Sequence, residues 1–238
     1  MRFRYHQPVP NFYKTENPHH PKTNMSADFL NKFNDLAIKY QFAGLSYSKL
    51  TDEFKKEWDI DWDNIIILKY KMADEILKME PSWEKCKLMD EEFQEVGLKT
   101  FKLADILREN GFRADLINPL DDRVSLRAIA LQSNDAVITR SNMCMFKEGL
   151  NLGFFMIQTS IENLPFKTEN DMLWVEDYCS TCGVCIDMCP ENAFDDDGKF
   201  LRKLCTAHRE GCSRCIDSCP FYKRGYEKVK KRYSRMKK

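Results

Sequence analysis

The stretch CSTCGVCIDMCP, residues 179–190, decides the fold of the C-terminal part of the chain. Its four cysteines are separated by two, two and three residues, and a proline follows the last one. Three cysteines at the two-residue spacing wrap a tight loop around one cubane cluster, and the fourth points away and reaches another. The spacing therefore predicts [4Fe-4S] clusters held by thiolates.

A second run of cysteines occupies residues 205–219 and is again followed by a proline. If the fourth cysteine of each run binds the other cluster, as in bacterial two-cluster ferredoxins, the two runs form one unit. We then expect cluster one to be held by Cys179, Cys182, Cys185 and Cys219, and cluster two by Cys189, Cys205, Cys212 and Cys215. The second run has six residues, TAHREG, where two are standard, and we expect this insert to form a loop over cluster two.

Zinc is the alternative occupant of these runs, because pairs of cysteines two residues apart also bind it. A zinc ribbon needs only four cysteines, whereas this chain repeats a run of four and ends each run with Cys-Pro. Iron–sulfur clusters are therefore favoured over zinc. Eight of the ten cysteines lie in the two runs, and Cys86 and Cys144 stand alone.

The charges of the chain are balanced, with 37 Lys and Arg against 37 Asp and Glu. This balance argues against nucleic-acid binding driven by bulk charge. No apolar run is long enough to span a membrane, and the N-terminus has no apolar signal core. We therefore expect a globular cytoplasmic protein, and the oxygen sensitivity of exposed cubane clusters suggests an anaerobic one.

The end of the chain is the exception to this balance. Residues 220–238 carry nine Lys and Arg and one acid, Glu227. One interpretation is a solvated helical tail, and the other is a docking surface for an acidic partner or RNA. Among partners we expect a redox protein rather than a nucleic acid, docked through this basic tail.

Apolar periodicity and composition divide the chain into four parts. We predict an extended arm over residues 1–24, an α/β layer domain over 25–172, a two-cluster ferredoxin domain over 173–222 and a basic tail over 223–238. The elements expected in the second part are a helix capped by Ser26, a strand over 64–72, a helix from Pro81 to Asn110, strands over 113–117, 136–140 and 153–159, and a helix over 122–132. The fold class is thus α+β or α/β, followed by a small ferredoxin-like domain.

Side chains able to transfer protons are scarce in the α/β domain. The four histidines lie in the arm and the cluster region, namely His6, His19, His20 and His208. Tyr70 is a candidate acid, although a tyrosine in an apolar strand is more often a core residue. Cys144 is likewise more often a small buried residue than a nucleophile, because no histidine accompanies it.

The order of these parts resembles the iron–sulfur reductases of the epoxyqueuosine reductase and corrinoid-dependent reductive dehalogenase group. The resemblance covers roughly residues 26–222. It is carried by AIKYQFAGLSYSKL (37–50), IIILKYKM (65–72), EVGLKTFKLADILRENGFRADLI (95–117), VSLRAIALQS (124–133), FFMIQTSIENLPF (154–166) and the two cysteine runs. It implies an α/β domain able to hold cobalamin and clusters that supply it with electrons.

The chain departs from the pattern of that group around residues 124–142. Members carry an acid near the start of the VSLRAIA segment, where this chain has Ser125, and a GLGxxG turn near its end. Here Asn134, Asp135, Ala136 and Thr139 stand where the glycines are expected. Arg140 keeps the basic character that usually follows the turn, and it is the candidate cofactor-binding residue of this domain.

Three functions are compatible with these features. We favour an electron-transfer protein that relays electrons through two [4Fe-4S] clusters to a partner protein or a bound cofactor. The first alternative is a corrinoid- or flavin-dependent reductase, or a reductive activator of a corrinoid protein. The second alternative is an assembly or maturation factor within a larger redox complex.

Overall fold

The computed structural model describes residues 9–60, 63–117 and 124–237. Its strands are β1 (Gly44–Lys49), β2 (Asn64–Lys71), β3 (Ala114–Ile117), β4 (Val137–Ile138), β5 (Cys144–Met145) and β6 (Leu152–Thr159). Its helices are α1 (Ala27–Lys39), α2 (Asp52–Trp58), α3 (Asp74–Lys78), α4 (Trp83–Glu109), α5 (Leu126–Gln132), α6 (Trp174–Cys182), α7 (Val184–Asp187), α8 (Ala207–Glu210), α9 (Arg214–Asp217), α10 (Pro220–Arg224) and α11 (Tyr226–Met236).

The centre of the first domain is a four-stranded sheet in the order β1-β2-β6-β3. Every neighbouring pair is antiparallel. The predicted mixture of helices and strands is confirmed, although the alternation of elements along the chain does not produce a parallel sheet. Strands β4 and β5 form a separate two-stranded sheet.

The sheet is covered on both faces, which explains the continuous apolar run in β2. Ile66 and Leu68 pack with α1 and α4 in one core cluster. Ile65 and Ile67 point the other way and pack with α5 and the segment of Phe146. Since successive side chains point to opposite faces of a strand, the side chains on both faces of β2 must be apolar.

Helix ends follow the expected local chemistry with small shifts. Ser26 caps α1 through a bond from the Phe29 N–H to its hydroxyl. The long helix α4 is capped by Ser82, so the prediction of Pro81 as its first residue was wrong by two positions. Gly111 follows its C-cap with φ of +89°, as a left-handed position after a helix requires. The predicted start of α5 at Asp122 lies outside the described residues.

The described part of the N-terminal arm, residues 9–24, has no regular secondary structure and packs along α4 and β3. The Tyr13 ring lies 3.4 Å from the guanidinium carbon of Arg108, measured to the ring centroid. Val9 covers Gly97, where a Cβ atom would collide with its methyl groups. Gly97 therefore allows the arm to lie close against the helix.

The basic tail is folded. Residues Tyr226–Met236 form α11, in which Tyr226 and Val229 are buried in a third core cluster with Val175 and Phe221. The interpretation of this segment as a solvated tail was therefore wrong. Within the described ranges, no helix has the length and apolar character needed to cross a membrane.

Candidate iron–sulfur centre

The first cysteine run lies at the junction of α6 and α7. Helix α6 carries Cys179 and Cys182, and it ends at Gly183 with φ of +65°. This left-handed glycine reverses the chain so that Cys185, in α7, faces the same cavity. The fourth cysteine on that cavity is Cys219 from the second run.

Cys219 faces the first run because it begins a new helix. It is the N-cap of α10, with Pro220 at the first helical position. Burial raises the pKa of Cys219 to about 12, opposed by hydrogen bonds from the N–H groups of Phe221 and Tyr222. The thiolates that raise it further are those of Cys179 and Cys182, both in the first run.

The remaining four cysteines form a second group. Burial raises the pKa of Cys215 to about 12, and the cysteines that add to the rise are Cys205 and Cys212, followed by Cys185 of the first set and Cys189. Burial also raises the pKa of Cys205, with contributions from Cys212 and Cys189. The first set of four cysteines shares one cavity, and the interactions of Cys205 and Cys215 agree with the second set, whose assignment to one cluster stays a prediction.

The donor chemistry of both sets fits a cubane cluster. Within the described residues, no three His, Cys, Asp or Glu side chains converge closely enough to hold one metal ion. The four cysteines of a cubane each bind a different iron, so their sulfurs surround a larger group than a single ion. Backbone N–H groups also reach the sulfurs, from Ala193 to Cys189 at 3.4 Å and from Ala207 to Cys205 at 3.5 Å.

Arg140 lies beside the first set. Its guanidinium donates to the carbonyl oxygens of Ser180 at 2.9 Å, Asp197 at 2.9 Å, Gly198 at 3.3 Å and Cys179 at 3.4 Å. It therefore fastens the first cysteine loop to the turn at residues 195–198. Its charge also lowers the pKa values of Cys179 and Cys185, although burial raises both overall.

Lys85 occupies the corresponding place beside the second set. This α4 residue is fully buried, and its ammonium donates to Ser213 Oγ at 2.6 Å, the Met79 carbonyl at 2.8 Å and the Leu77 carbonyl at 3.0 Å. Ser213 lies between the ligands Cys212 and Cys215. Burial lowers the pKa of Lys85, and Cys212 is the strongest of the anionic groups that oppose this shift.

The sequence predicted that the insert TAHREG forms a loop over cluster two. In the structure this insert contains the helical turn α8. This turn packs against the start of α4. The Ser82 N–H donates to the Glu210 carbonyl at 2.7 Å, and the Cys86 thiol lies 3.7 Å from the Arg209 carbonyl. The extra residues thus dock the second cysteine loop on the first domain.

An aromatic cluster covers the other side of the first set. Tyr178 and Phe221 have ring centroids 5.3 Å apart, and Trp174 lies against Tyr226 and Tyr233 of α11. Burial, together with the charge of Cys182 and a hydrogen bond to it, raises the pKa of Tyr178 to about 12. Hydrogen bonds to cluster sulfurs and solvent access both influence reduction potentials.

A network of charged side chains around Asp135 occupies the positions where the related group has a glycine-rich turn. Asn134 keeps a left-handed backbone, with φ of +53°. Asp135 accepts from Ser46 and Lys167 and lies 3.4 Å from the buried ammonium of Lys69. Burial opposes ionisation of Asp135, but these partners outweigh it and hold its pKa below the usual range. These residues do not fit a ligand that needs close backbone approach.

The other candidates of the first domain are core residues. Tyr70 is buried, and burial followed by the charge of Glu92 raises its pKa. Burial raises the pKa of Cys144 to about 12, so its thiol is not activated. Ser125 caps α5 by accepting from the Ala128 N–H. His6 and the side chain of His208 lie outside the described residues, and His19 and His20 are exposed.

Sequence reasoning missed Lys85 and Tyr178. A signal for Lys85 was present, because it falls on the buried stripe of α4 at helical spacing with Met89, Phe93 and Val96. A lysine on an apolar stripe needs polar groups around the ammonium at the end of its side chain. No comparable signal marks Tyr178, whose partner Cys182 lies four residues away and is shared with the cluster.

A family model described as a 4Fe-4S binding domain matches residues 172–195, which contain the whole first run. The chain therefore carries a 4Fe-4S binding domain, and the prediction of iron–sulfur clusters as its cofactors is confirmed. A search of curated proteins found no match to the chain.

Solved structures confirm the predicted resemblance at the level of the fold. The catabolic reductive dehalogenase NpRdhA in complex with 3-bromo-4-hydroxybenzoic acid aligns with a TM-score of 0.63 at 12% identity, over 98% of this chain and 36% of that one. An epoxyqueuosine reductase from Bacillus subtilis aligns with a TM-score of 0.58 at 14% identity, over 83% of this chain and 66% of that one. A reductive dehalogenase whose structure suggests a mechanism for B12-dependent dehalogenation aligns with a TM-score of 0.60 at 13% identity.

The alignments differ in how much of each relative they cover. The chain spans about a third of the length of the reductive dehalogenases and 66% of the epoxyqueuosine reductases. At these identities the likeness concerns the fold alone. The activities of the relatives depend on particular residues and do not follow from the shared fold.

Proposed function

We propose that this chain, which has the fold of epoxyqueuosine reductases and reductive dehalogenases, is an electron-transfer protein that relays electrons through two [4Fe-4S] clusters. The observation that carries the proposal is the pair of cross-run cysteine sets. Cys219 lines the same cavity as the three cysteines of the first run, and Cys189 interacts electrostatically with Cys205 of the second run, which supports this arrangement. The helical turns α7 and α9 of the two runs pack against each other, so the two sites are neighbours.

The chain's own residues would prepare these sites for one-electron chemistry. Each cluster, when bound, accepts and releases single electrons. Arg140 and Lys85 bring positive charge from the first domain to the two loops, which favours the more negative, reduced form of a cluster. The aromatic cluster limits the access of water to the first cysteine set, and α4 limits it to the second.

Anaerobic purification followed by iron and sulfide analysis tests this function. We expect about eight irons for each chain, as two cubanes require, and no corrinoid or flavin absorbance. A stoichiometric corrinoid or flavin in protein expressed with cobalamin supplied would overturn the proposal.

We assign the partner to the exposed face of α11, which lies beside the first set. Tyr226, Val229 and Tyr233 form the inward face of α11, whereas Lys228, Lys231 and Arg235 are exposed. Because the apolar face is already covered, this helix is not available to insert into a membrane. Positive charge next to a cluster suits a redox protein with an acidic surface around its own cofactor.

Charge reversal tests this surface better than truncation, because truncation would remove the buried Tyr226 and Val229. We expect K228E/K231E/R235E to slow reduction of the clusters by an acidic donor such as a flavodoxin, and to remove the salt dependence of the rate. The matched control is K32E/K39E/K102E, which makes the same charge change at exposed lysines of α1 and α4. Equal rates for both variants would exclude docking on α11.

A corrinoid-dependent reductase is the second candidate, and the shared fold favours it. The residues of this chain do not support it at the expected place. Asp135 and its partners fill the turn, and the four hydrogen bonds that the Arg140 guanidinium donates all go to carbonyls of the cysteine domain. We therefore propose that Arg140 serves cluster one and derive no corrin chemistry from this structure.

A further inference from the structure

We propose that the buried ammonium of Lys85 is the counter-ion of cluster two and raises the reduction potential of that cluster. The inference rests on the proposed function, since it requires a cluster on the second cysteine set. It assigns an influence on electron transfer to a residue of the first domain that lies at least 104 positions in sequence from all four cysteines of the second set. Lys85 acts through the charge it places beside the site and is a positioning residue, not a ligand.

The surroundings of Lys85 show a built site for the ammonium. All three of its N–H donors have oxygen acceptors, at 2.6 to 3.0 Å. The Ser213 hydroxyl, which accepts one of these bonds, donates in turn to the Leu77 carbonyl at 2.6 Å. Gly211 lies over the stem of the side chain, and a Cβ atom at that position would be 3.1 Å from Lys85 Cγ. The lysine is therefore fixed in place.

Within the described residues no carboxylate forms an ion pair with this ammonium, although the charges of Glu80 and Asp217 also raise its pKa. The described ion pairs do not include Lys85, and its three acceptors are two carbonyls and a hydroxyl, all neutral. A buried charge is normally paired with an opposite one, because burial without a counter-charge is costly. Among the anionic groups around Lys85, Cys212 has the largest electrostatic effect on it, and a cubane cluster with four thiolate ligands would be anionic.

An alternative role for Lys85 is purely structural, as a tether between α4 and the second loop. The neighbourhood already contains such tethers. Ser82 binds the Glu210 carbonyl, and Arg214 pairs with Glu80. A tether also needs no charge, and a neutral donor would avoid the cost of burying one. The positive charge is therefore the property that requires an explanation.

The charge has a defined consequence for the redox equilibrium. Reduction adds one electron to the cluster and makes it more negative by one charge. A fixed positive charge in a low-dielectric environment stabilises the reduced form more than the oxidised form. Replacement of Lys85 by a neutral residue should therefore lower the potential of cluster two and leave cluster one nearly unchanged.

The test is a redox titration of K85M followed by electron paramagnetic resonance, with both clusters loaded. At the wild-type midpoint of cluster two, we expect the ratio of reduced to oxidised cluster two to fall about tenfold, which corresponds to 59 mV for one electron. The matched control is K87M, on the same helix with a side chain 59% exposed, and it should leave the ratio unchanged. An unchanged ratio in K85M, with both clusters present, overturns the inference.

If K85M does not assemble cluster two, K85R decides the question. Assembly and a near-normal potential in K85R support a requirement for positive charge, whereas failure of K85R as well shows that the shape of lysine matters and overturns the inference. Iron analysis of the wild-type chain separates these results from a failure of the proposed function. A wild-type chain without a second cluster contradicts the function itself, whereas two clusters with unaltered potentials contradict only the role of Lys85.

Discussion

The two cysteine loops hold similar ligands but are fastened to the first domain in different ways. The first loop is held by Arg140, a partly exposed residue that binds carbonyls on two segments. The second is held by Lys85, which is fully buried and donates to a hydroxyl within the loop. The first loop is also covered by α11 and its aromatic residues, whereas the second is docked on α4 through α8.

This difference suggests a division of roles. The loop beside α11 is suited to exchange electrons with a partner, because the outer face of that helix is exposed and positively charged. Lys85 is fully buried beside the second loop, and a buried charge has a larger effect on the reduction potential than a solvated one. Variants that affect one loop and spare the other test this division, beginning with the largest expected effect.

The strongest test replaces Cys219, which lies in the second run but faces the first set. We expect C219A to lose cluster one and to keep cluster two, because the thiolate that completes the first cavity is removed. The measurement is iron content together with the electron paramagnetic resonance signal of each reduced cluster. The control is C144A, which removes a buried thiol outside both sets.

Two outcomes would contradict this assignment. Loss of cluster two alone from C219A would show that each run keeps its own four cysteines. Loss of iron from C144A to the same extent would show that loss of any buried cysteine destabilises the protein. Iron loss from C219A would then not identify the cluster that Cys219 binds.

A second test removes the cover of the first loop. Tyr226 is 4% exposed, and its hydroxyl accepts from Trp174 Nε1 at 2.9 Å. We expect Y226A to lower the free energy of unfolding by about 3 kcal/mol, as loss of a large buried ring does. Because the cavity lies next to Cys219, a chelator should extract iron faster from cluster one and at an unchanged rate from cluster two.

The matched control is Y226F, which keeps the ring and loses one hydrogen bond. It should cost only about 1 kcal/mol and leave the extraction rates close to those of the wild type. Equal acceleration of iron loss from both clusters in Y226A would show that α11 stabilises the cysteine domain as a whole and does not shield one loop.

The sequence predicted the cysteine region better than the first domain, for a physical reason. Ligand spacing is a local property, so four cysteines and a proline indicate a cluster without knowledge of the rest of the chain. The assignment of one cysteine from each run to the cluster of the other run comes from the same rule and stays a prediction. The antiparallel order of the sheet depends on which distant strands pair, and the pattern of β2 alone, apolar on both faces, does not determine it.

Residues that connect the two domains were the hardest to predict. Lys85 and Arg140 donate hydrogen bonds to backbone carbonyls far away in the sequence. Every residue has such a carbonyl, so the sequence does not indicate which ones act as acceptors. The interpretation of α11 as a solvated tail failed because its many basic residues obscured the inward stripe of Tyr226, Val229 and Tyr233. Its amphipathic spacing was the available signal.

The smallest expected effect compares two glycines with similar backbones. Gly183 and Gly211 have φ of +65° and +68°, so alanine is strained by about 1 kcal/mol at either position. A Cβ atom at Gly183 meets nothing within 4 Å, whereas at Gly211 it comes within 3.1 Å of Lys85 Cγ. Since three hydrogen bonds prevent Lys85 from moving away, G211A should cost about 1 kcal/mol more than G183A. Chemical denaturation of the two variants measures this difference, and equal costs would show that Lys85 is free to shift and that the second loop is no more tightly fixed than the first.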